Sequence, residues 1–148
     1  MHIAEQGGVS FVPVGIEHIA VIDSWLNMRH RNGITNALPS EIMMTEDFLD
    51  REDFFIVEIN GQAIGLFGLY YDIICEGEEV AIVLFVDHDM RGRGLAEMIL
   101  SAAVISSLES SKRMVAVTKK NNGAMIRVLE KTRFSFVRRI DSSVMYRF

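Results

Sequence analysis

Chemistry is concentrated in residues 86–96, Val86-Asp87-His88-Asp89-Met90-Arg91-Gly92-Arg93-Gly94-Leu95-Ala96. Gly92 and Gly94 let a backbone turn sharply and come close to a ligand. A helix that begins just after them offers first-turn N–H groups with no partner inside the helix, at the positive end of its dipole. Arg91 and Arg93 add forked guanidinium donors suited to phosphate oxygens. Together these features describe an anion site, and a phosphate-bearing ligand is its natural occupant. The segment is not a Walker loop, because no Gly-Lys-Ser/Thr follows. Nor is it Gly-x-Gly-x-x-Gly, because position 97 is Glu.

Other reactive side chains are sparse. Cys75 is the one cysteine, which excludes an intrachain disulfide and a cysteine metal site. It reads as a small buried apolar residue. His2, His18, His30 and His88 show no metal-ligand spacing.

These residues need a scaffold, and the composition supplies one. The chain has 148 residues, 49% hydrophobic and 24% charged, enough to bury the core of one domain over 1–148. Its formal charge of −5 argues against bulk binding to nucleic acid. The start lacks the charged and apolar regions of a signal peptide, and no apolar stretch approaches the ~20 residues a membrane span needs. A soluble, reduced, cytoplasmic protein with no membrane or nucleic-acid partner is the expectation.

Periodicity sets the elements. Residues 9–14 alternate as a strand with Pro13 at an edge or a strand end. Apolar residues from Ile16 to Leu26 then repeat at helical spacing. A polar break covers residues 29–33, and residues 40–49 read as a second short helix. Residues 54–59 and 63–75 read as strands around Asn60-Gly61, the strongest two-residue hairpin signal. Gly77 marks another turn. Residues 79–86 are nearly all apolar, as in a central strand covered on both faces. A helix over 94–109, a strand over 113–118, a helix over 122–131 and strands over 134–140 and 144–148 complete the order β-α-α-β-β-β-α-β-α-β-β. That order predicts an α/β (α+β mixed) fold: one mixed sheet with helices on both faces.

Two segments carry a family resemblance. Arg91-Gly92-Arg93-Gly94-Leu95-Ala96 resembles the Gln/Arg-x-x-Gly-x-Gly/Ala motif of the GCN5-related N-acetyltransferase (GNAT) superfamily. Leu84-Phe85-Val86 resembles the end of that family's fourth strand. Downstream, residues 122–134, from Asn122 through Leu129-Glu130-Lys131 to Phe134, resemble its Asn-x-x-Ala/Met … Leu-Glu-Lys-x-Gly-Phe segment. The N-terminal half agrees in element order alone.

The resemblance implies an acyl-CoA N-acyltransferase-like fold with a mostly antiparallel mixed sheet. It also implies acetyl-CoA as co-substrate and acetyl transfer to a primary amine of a small molecule or peptide, by direct attack in a ternary complex. The alternative is a non-catalytic acyl-CoA-binding module of the same fold. Arg91, Gly92, Arg93, Gly94, Leu95 and Ala96 would hold the pyrophosphate. Phe85 and Val86 would offer backbone groups to the pantetheine arm where their strand splays from the next, and Asn122 and Met125 would flank it. Asn122 is equally a helix N-cap.

Two departures stand out. The family often places a Tyr, acting as general acid, where this chain has Leu129; Tyr146, Tyr70, Tyr71 or water are the replacements. Arg133 replaces the family Gly before Phe134, which suggests a turn of different shape. The candidate base is Glu79, ahead of Asp87 and His88. Acceptor contacts are expected in residues 25–38, where Arg29, His30 and Arg31 leave the sign of the acceptor's charge open. The oligomeric state is open, a homodimer included.

Overall fold

The computed structural model describes residues 4–26, 38–39, 41–110 and 113–148. The expected break at Arg29, His30 and Arg31 lies outside them. Eight strands form one sheet in the order β1-β2-β3-β4-β5-β6-β8-β7. They are β1 (Ala4–Gln6), β2 (Val9–Pro13), β3 (Phe54–Ile59), β4 (Gln62–Tyr70), β5 (Glu79–Val86), β6 (Arg113–Lys119), β7 (Ser135–Ile140) and β8 (Ser143–Arg147). Only β5 and β6 pair in parallel. A parallel pair needs a long crossover, and helix α2 (Leu95–Ser110) supplies it. Helices α1 (Ile19–Trp25) and α3 (Gly123–Lys131) complete the set.

The central strand follows its apolar pattern. Every residue of β5 is buried. Ile82, Leu84 and Val86 pack on one face with Ile99 of α2 and Leu129 of α3. Ala81, Val83 and Phe85 pack on the other with Ile22 and Trp25 of α1 and with Phe48. Both faces of the sheet are therefore covered, as expected of a continuous apolar strand.

Several local expectations change. Residues 40–49 do not make an α-helix; a 3-10 turn covers Thr45–Asp50, held by the Asp47 carboxylate, which accepts from the Met43 and Met44 N–H groups. Those two bonds lower the Asp47 pKa. The strand expected over 63–75 ends at Tyr70, and residues 71–78 are turns and loop. An extra strand, β1, precedes Val9 through a Gly7-Gly8 turn, so β2 is not an edge; Pro13 stands at its end. The hairpin at Asn60-Gly61 holds, with φ of 53° and 75°.

Arg133 overturns the expectation of a differently shaped turn. Its φ is 72°, in the left-handed region. The Phe134 N–H bonds the Leu129 carbonyl and the Arg133 N–H bonds that of Glu130. This pair of bonds is the Schellman arrangement, with Phe134 and Leu129 making its apolar contact in the core. The turn keeps the shape a glycine would prefer and accepts the strain of an arginine.

Candidate active site

The site begins where β5 and β6 part. Their ladder has three rungs, Glu79↔Arg113, Val80↔Met114 and Ala81↔Val115. The β5–β6 register ends at Ala81↔Val115, while β5 runs on to Val86 along β4 and β6 runs on to Lys119 along β8. The strands enclose a wedge, closed at Ala81 and open at Val86.

The glycine loop sits at the mouth of that wedge. A 3-10 turn over His88–Met90 follows Asp87, whose Oδ1 accepts the Asp89 N–H at 2.9 Å. Gly92 and Gly94 take φ of 81° and 74°, and no atom lies within 4 Å of where a Cβ would stand on either. Gly94 then accepts the first bond of α2, from Met98 N–H at 3.2 Å. The loop backbone is thus held in a conformation that favours glycine, with open space against it. Arg91 Nε donates to the Val86 carbonyl at 3.1 Å, and its guanidinium carbon lies 5.0 Å from the Phe85 ring centre. Burial lowers the Arg91 pKa, and the Asp87 carboxylate opposes that shift.

On the far wall, Asn122 caps α3. Its Oδ1 accepts the Met125 N–H at 3.3 Å, while its Nδ2 donates to Thr118 Oγ1 at 3.3 Å. Between the walls lies a cavity of about 210 Å³, lined by Val86, Arg91, Gly92, Gly94, Leu95, Ala96, Asn122 and Met125. Ala124 and Val128 line it as well. Eight of the ten cofactor-side residues read from the sequence therefore meet at one groove. Phe85 and Arg93 do not line it. The Phe85 side chain is buried on the opposite face, and Arg93 is exposed.

The two catalytic candidates sit elsewhere. Glu79 lies at the closed end of the wedge, 5% exposed, ion-paired with Arg147 and accepting the Glu76 N–H at 3.0 Å. Its carboxylate is a cross-strand tie, not a free base. Tyr146 is on β8, beyond β6 from the wedge, and its ring packs edge-on to Phe136 at 5.9 Å. Burial first, and Glu130 second, raise its pKa. Tyr70 donates to Asp72 at 2.9 Å and Tyr71 to the Gly77 carbonyl at 3.3 Å. Burial pushes up the pKa of both Tyr70 and the Cys75 thiol.

Sequence reasoning put Trp25 in the expected acceptor segment but missed its contact with Asp87. Its indole Nε1 donates to Asp87 Oδ2 at 2.9 Å, and its ring lies 6.1 Å from that of Phe85. The sequence held no signal for this contact beyond the helical spacing that turns Trp25 inward. Among the described residues, no cluster of three or more His, Cys, Asp or Glu could hold a metal. No helix among them is long and apolar enough to cross a membrane.

The profile of the acetyltransferase (GNAT) family matches residues 17–134. The chain belongs to that family. The GNAT match takes in α1, the wedge, the glycine loop and α3. An uncharacterised N-acetyltransferase of Methanocaldococcus jannaschii is 33% identical over 82 residues, 51% of this chain and 36% of the relative. The chain thus spans little more than a third of the length of that curated relative. Among solved structures, the acetyltransferase from Agrobacterium tumefaciens superposes with a TM-score of 0.73 at 14% identity, covering 100% of this chain and 94% of its own. A ribosomal L7/L12 alpha-N-protein acetyltransferase in complex with coenzyme A superposes at 0.72 with 13% identity, covering 99% and 96%. At these identities the likeness shows the GNAT fold.

Proposed function

We propose that the chain is an N-acetyltransferase that moves an acetyl group from acetyl-CoA to a primary amine by direct attack in a ternary complex. The observation that carries this reading is the parting of β5 and β6 after Ala81 and Val115, with the glycine loop of α2 at its mouth. The residues present suit such a co-substrate. The open backbone at Gly92 and Gly94, the N-terminus of α2 and the Arg91 guanidinium suit a pyrophosphate. The apolar wall of Val86, Leu95, Met125 and Val128 suits a pantetheine arm. A structural neighbour described with coenzyme A bound supports the same reading.

In the reaction the amine nitrogen attacks the thioester carbonyl carbon. A C–N bond forms, the C–S bond breaks, and sulfur leaves with the electron pair. A thiol pKa near ~8.5 makes that sulfur a competent leaving group without a strong acid. This agrees with a buried Leu129 where the family often has Tyr. The amine must first lose a proton, since its pKa is near ~10.4. Glu79 is engaged by Arg147, and both Asp87 oxygens accept hydrogen bonds. The proton is therefore assigned to solvent, and the acceptor enters as free amine. The acceptor is a small-molecule or peptide amine, met in the cytoplasm, where Cys75 stays reduced.

The test is thiol release from acetyl-CoA across a panel of amines, with thermal unfolding in parallel. Acetyl-CoA at 100 times its Kd is expected to stabilise the fold by about 2.7 kcal/mol. Gly94→Val should weaken that binding more than about tenfold, because a β-branched residue strains a left-handed loop position. Stabilisation without thiol release from any amine would favour a binding module. Neither stabilisation nor release would sink the reading.

A further inference from the structure

The net charge of −5 hides a division of sign along the chain. Residues 113–148 hold nine Lys and Arg against two Asp and Glu, a net of +7. Residues 1–112 hold six against eighteen, a net of −12. The basic quarter is β6, α3, β7 and β8, which are contiguous in the fold.

The pairing shows where these charges gather. Lys119 sits opposite Ser143, which sits opposite Ile140, and the Lys120 N–H bonds the Ser142 carbonyl. The two lysines therefore stand at the hairpin end; Lys119, in line with Ser143 and Ile140, is on the α1 side of the sheet, and Arg139, opposite Val144, is on the α3 side. Arg127 and Lys131 are one helical turn apart on α3, and Arg133 leads from α3 into β7. On β7, Phe136 pairs with Tyr146 and Arg139 with Val144, and both partners pack in the core with α3. Residues three apart on a strand ordinarily face opposite ways. The irregularity between Phe136 and Arg138 resets the alternation, so Phe136 and Arg139 both lie on the α3 side.

Lys120, Arg127, Lys131, Arg133 and Arg139 are exposed, and none makes an ion pair among the described residues. Phe136, on the α3 side of β7, is 55% exposed. β7 is the last strand of the sheet, so its outer edge has no strand neighbour.

We infer that this α3–β7 face binds single-stranded nucleic acid. A row of unpaired arginines and lysines tracks a phosphate backbone, and an exposed aromatic ring between them offers a base a surface to stack on. The acidic remainder keeps the overall charge negative and confines attraction to this face. An acidic protein would satisfy the charges but would not need the phenyl ring, and that difference decides the experiment.

The full chain is titrated against fluorescein-labelled 20-nucleotide single strands of RNA and of DNA, read by anisotropy from 50 to 200 mM salt. Contact with about five phosphates predicts a roughly hundredfold loss of affinity across that range. The variant Arg127→Gln/Lys131→Gln/Arg139→Gln should lower the logarithmic salt slope by about 2. Phe136→Ala should weaken binding by about fivefold or more at fixed salt. Arg113→Gln, at the other end of β6, should leave binding intact, and stabilisation by acetyl-CoA checks that each variant is folded. The RNA and DNA arms identify which strand is preferred. No binding at 50 mM salt overturns the inference, as does an unchanged slope in the triple variant. Equal binding of polyglutamate with no effect of Phe136→Ala overturns it in favour of an acidic protein.

Discussion

The Trp25 indole donates to the Asp87 carboxylate across 62 residues of sequence, at 2.9 Å. Trp25 ends α1, and Asp87 directly follows the central strand and caps the turn into the glycine loop. One hydrogen bond thus ties the helix over one face of the sheet to the loop proposed to hold phosphate. Trp25 is the only tryptophan in the chain, so its fluorescence reports on this contact. Acetyl-CoA binding is expected to shift that emission. Trp25→Phe keeps the ring packing and strands one Asp87 oxygen, which should cost about 1–3 kcal/mol of stability by denaturant titration. Unchanged stability would show that water replaces the indole.

Deprotonation by solvent has a kinetic signature. When solvent takes the proton, kcat/KM follows the free-amine fraction of the acceptor. For an amine with a pKa near ~10.4 it should rise about tenfold per pH unit from pH 6 to about 9. A plateau beginning near pH 6–7 would instead reveal a protein base and overturn the assignment.

Glu79 separates structure from catalysis. Glu79→Gln removes the charge that holds Arg147, whose side chain is 32% exposed. A fully buried pair would lose about 3–5 kcal/mol, and partial solvation of the guanidinium reduces this to about 1–3 kcal/mol. The rate constant kcat should stay within a few-fold. A general base would instead lose about a hundredfold or more on the same change, so the variant's kcat decides between the two roles.

Arg133 offers the opposite case, a substitution that should stabilise. A non-glycine residue in the left-handed region carries roughly 1–2 kcal/mol of strain. Arg133→Gly relieves it and makes the unfolded chain more flexible, so the net gain should be about 1 kcal/mol. Thermal unfolding should show a higher Tm for the variant; a lower one would mean that the arginine stem stabilises the turn.

The residues that carry the cofactor-side groove were legible because they are local. Gly92 and Gly94 need left-handed backbone, the helix after them needs a start, and Asn122 needs to cap α3; each requirement is met within a few residues of chain. The same holds for the Asn60-Gly61 hairpin and for the apolar run of β5. Where local signals conflicted, the reading slipped. Residues 71–75 continue an apolar pattern, yet the chain leaves the sheet after Tyr70. Residues 45–50 look helical but close as a 3-10 turn around the Asp47 carboxylate.

The sequence by itself determined most of the elements, the order of those from β3 onward and the glycine turn ahead of α2, because these follow from periodicity and backbone preference. The tertiary structure decided which side chains are free to react. Glu79 became a tie to Arg147, Asp87 a partner of Trp25, and Tyr146 a neighbour of Phe136 outside the groove. It also decided where the charge lies, by bringing Arg139 of β7 to the same side of the sheet as α3 with its Arg127 and Lys131. Such outcomes depend on contacts between residues far apart in the chain, and no local pattern specifies those.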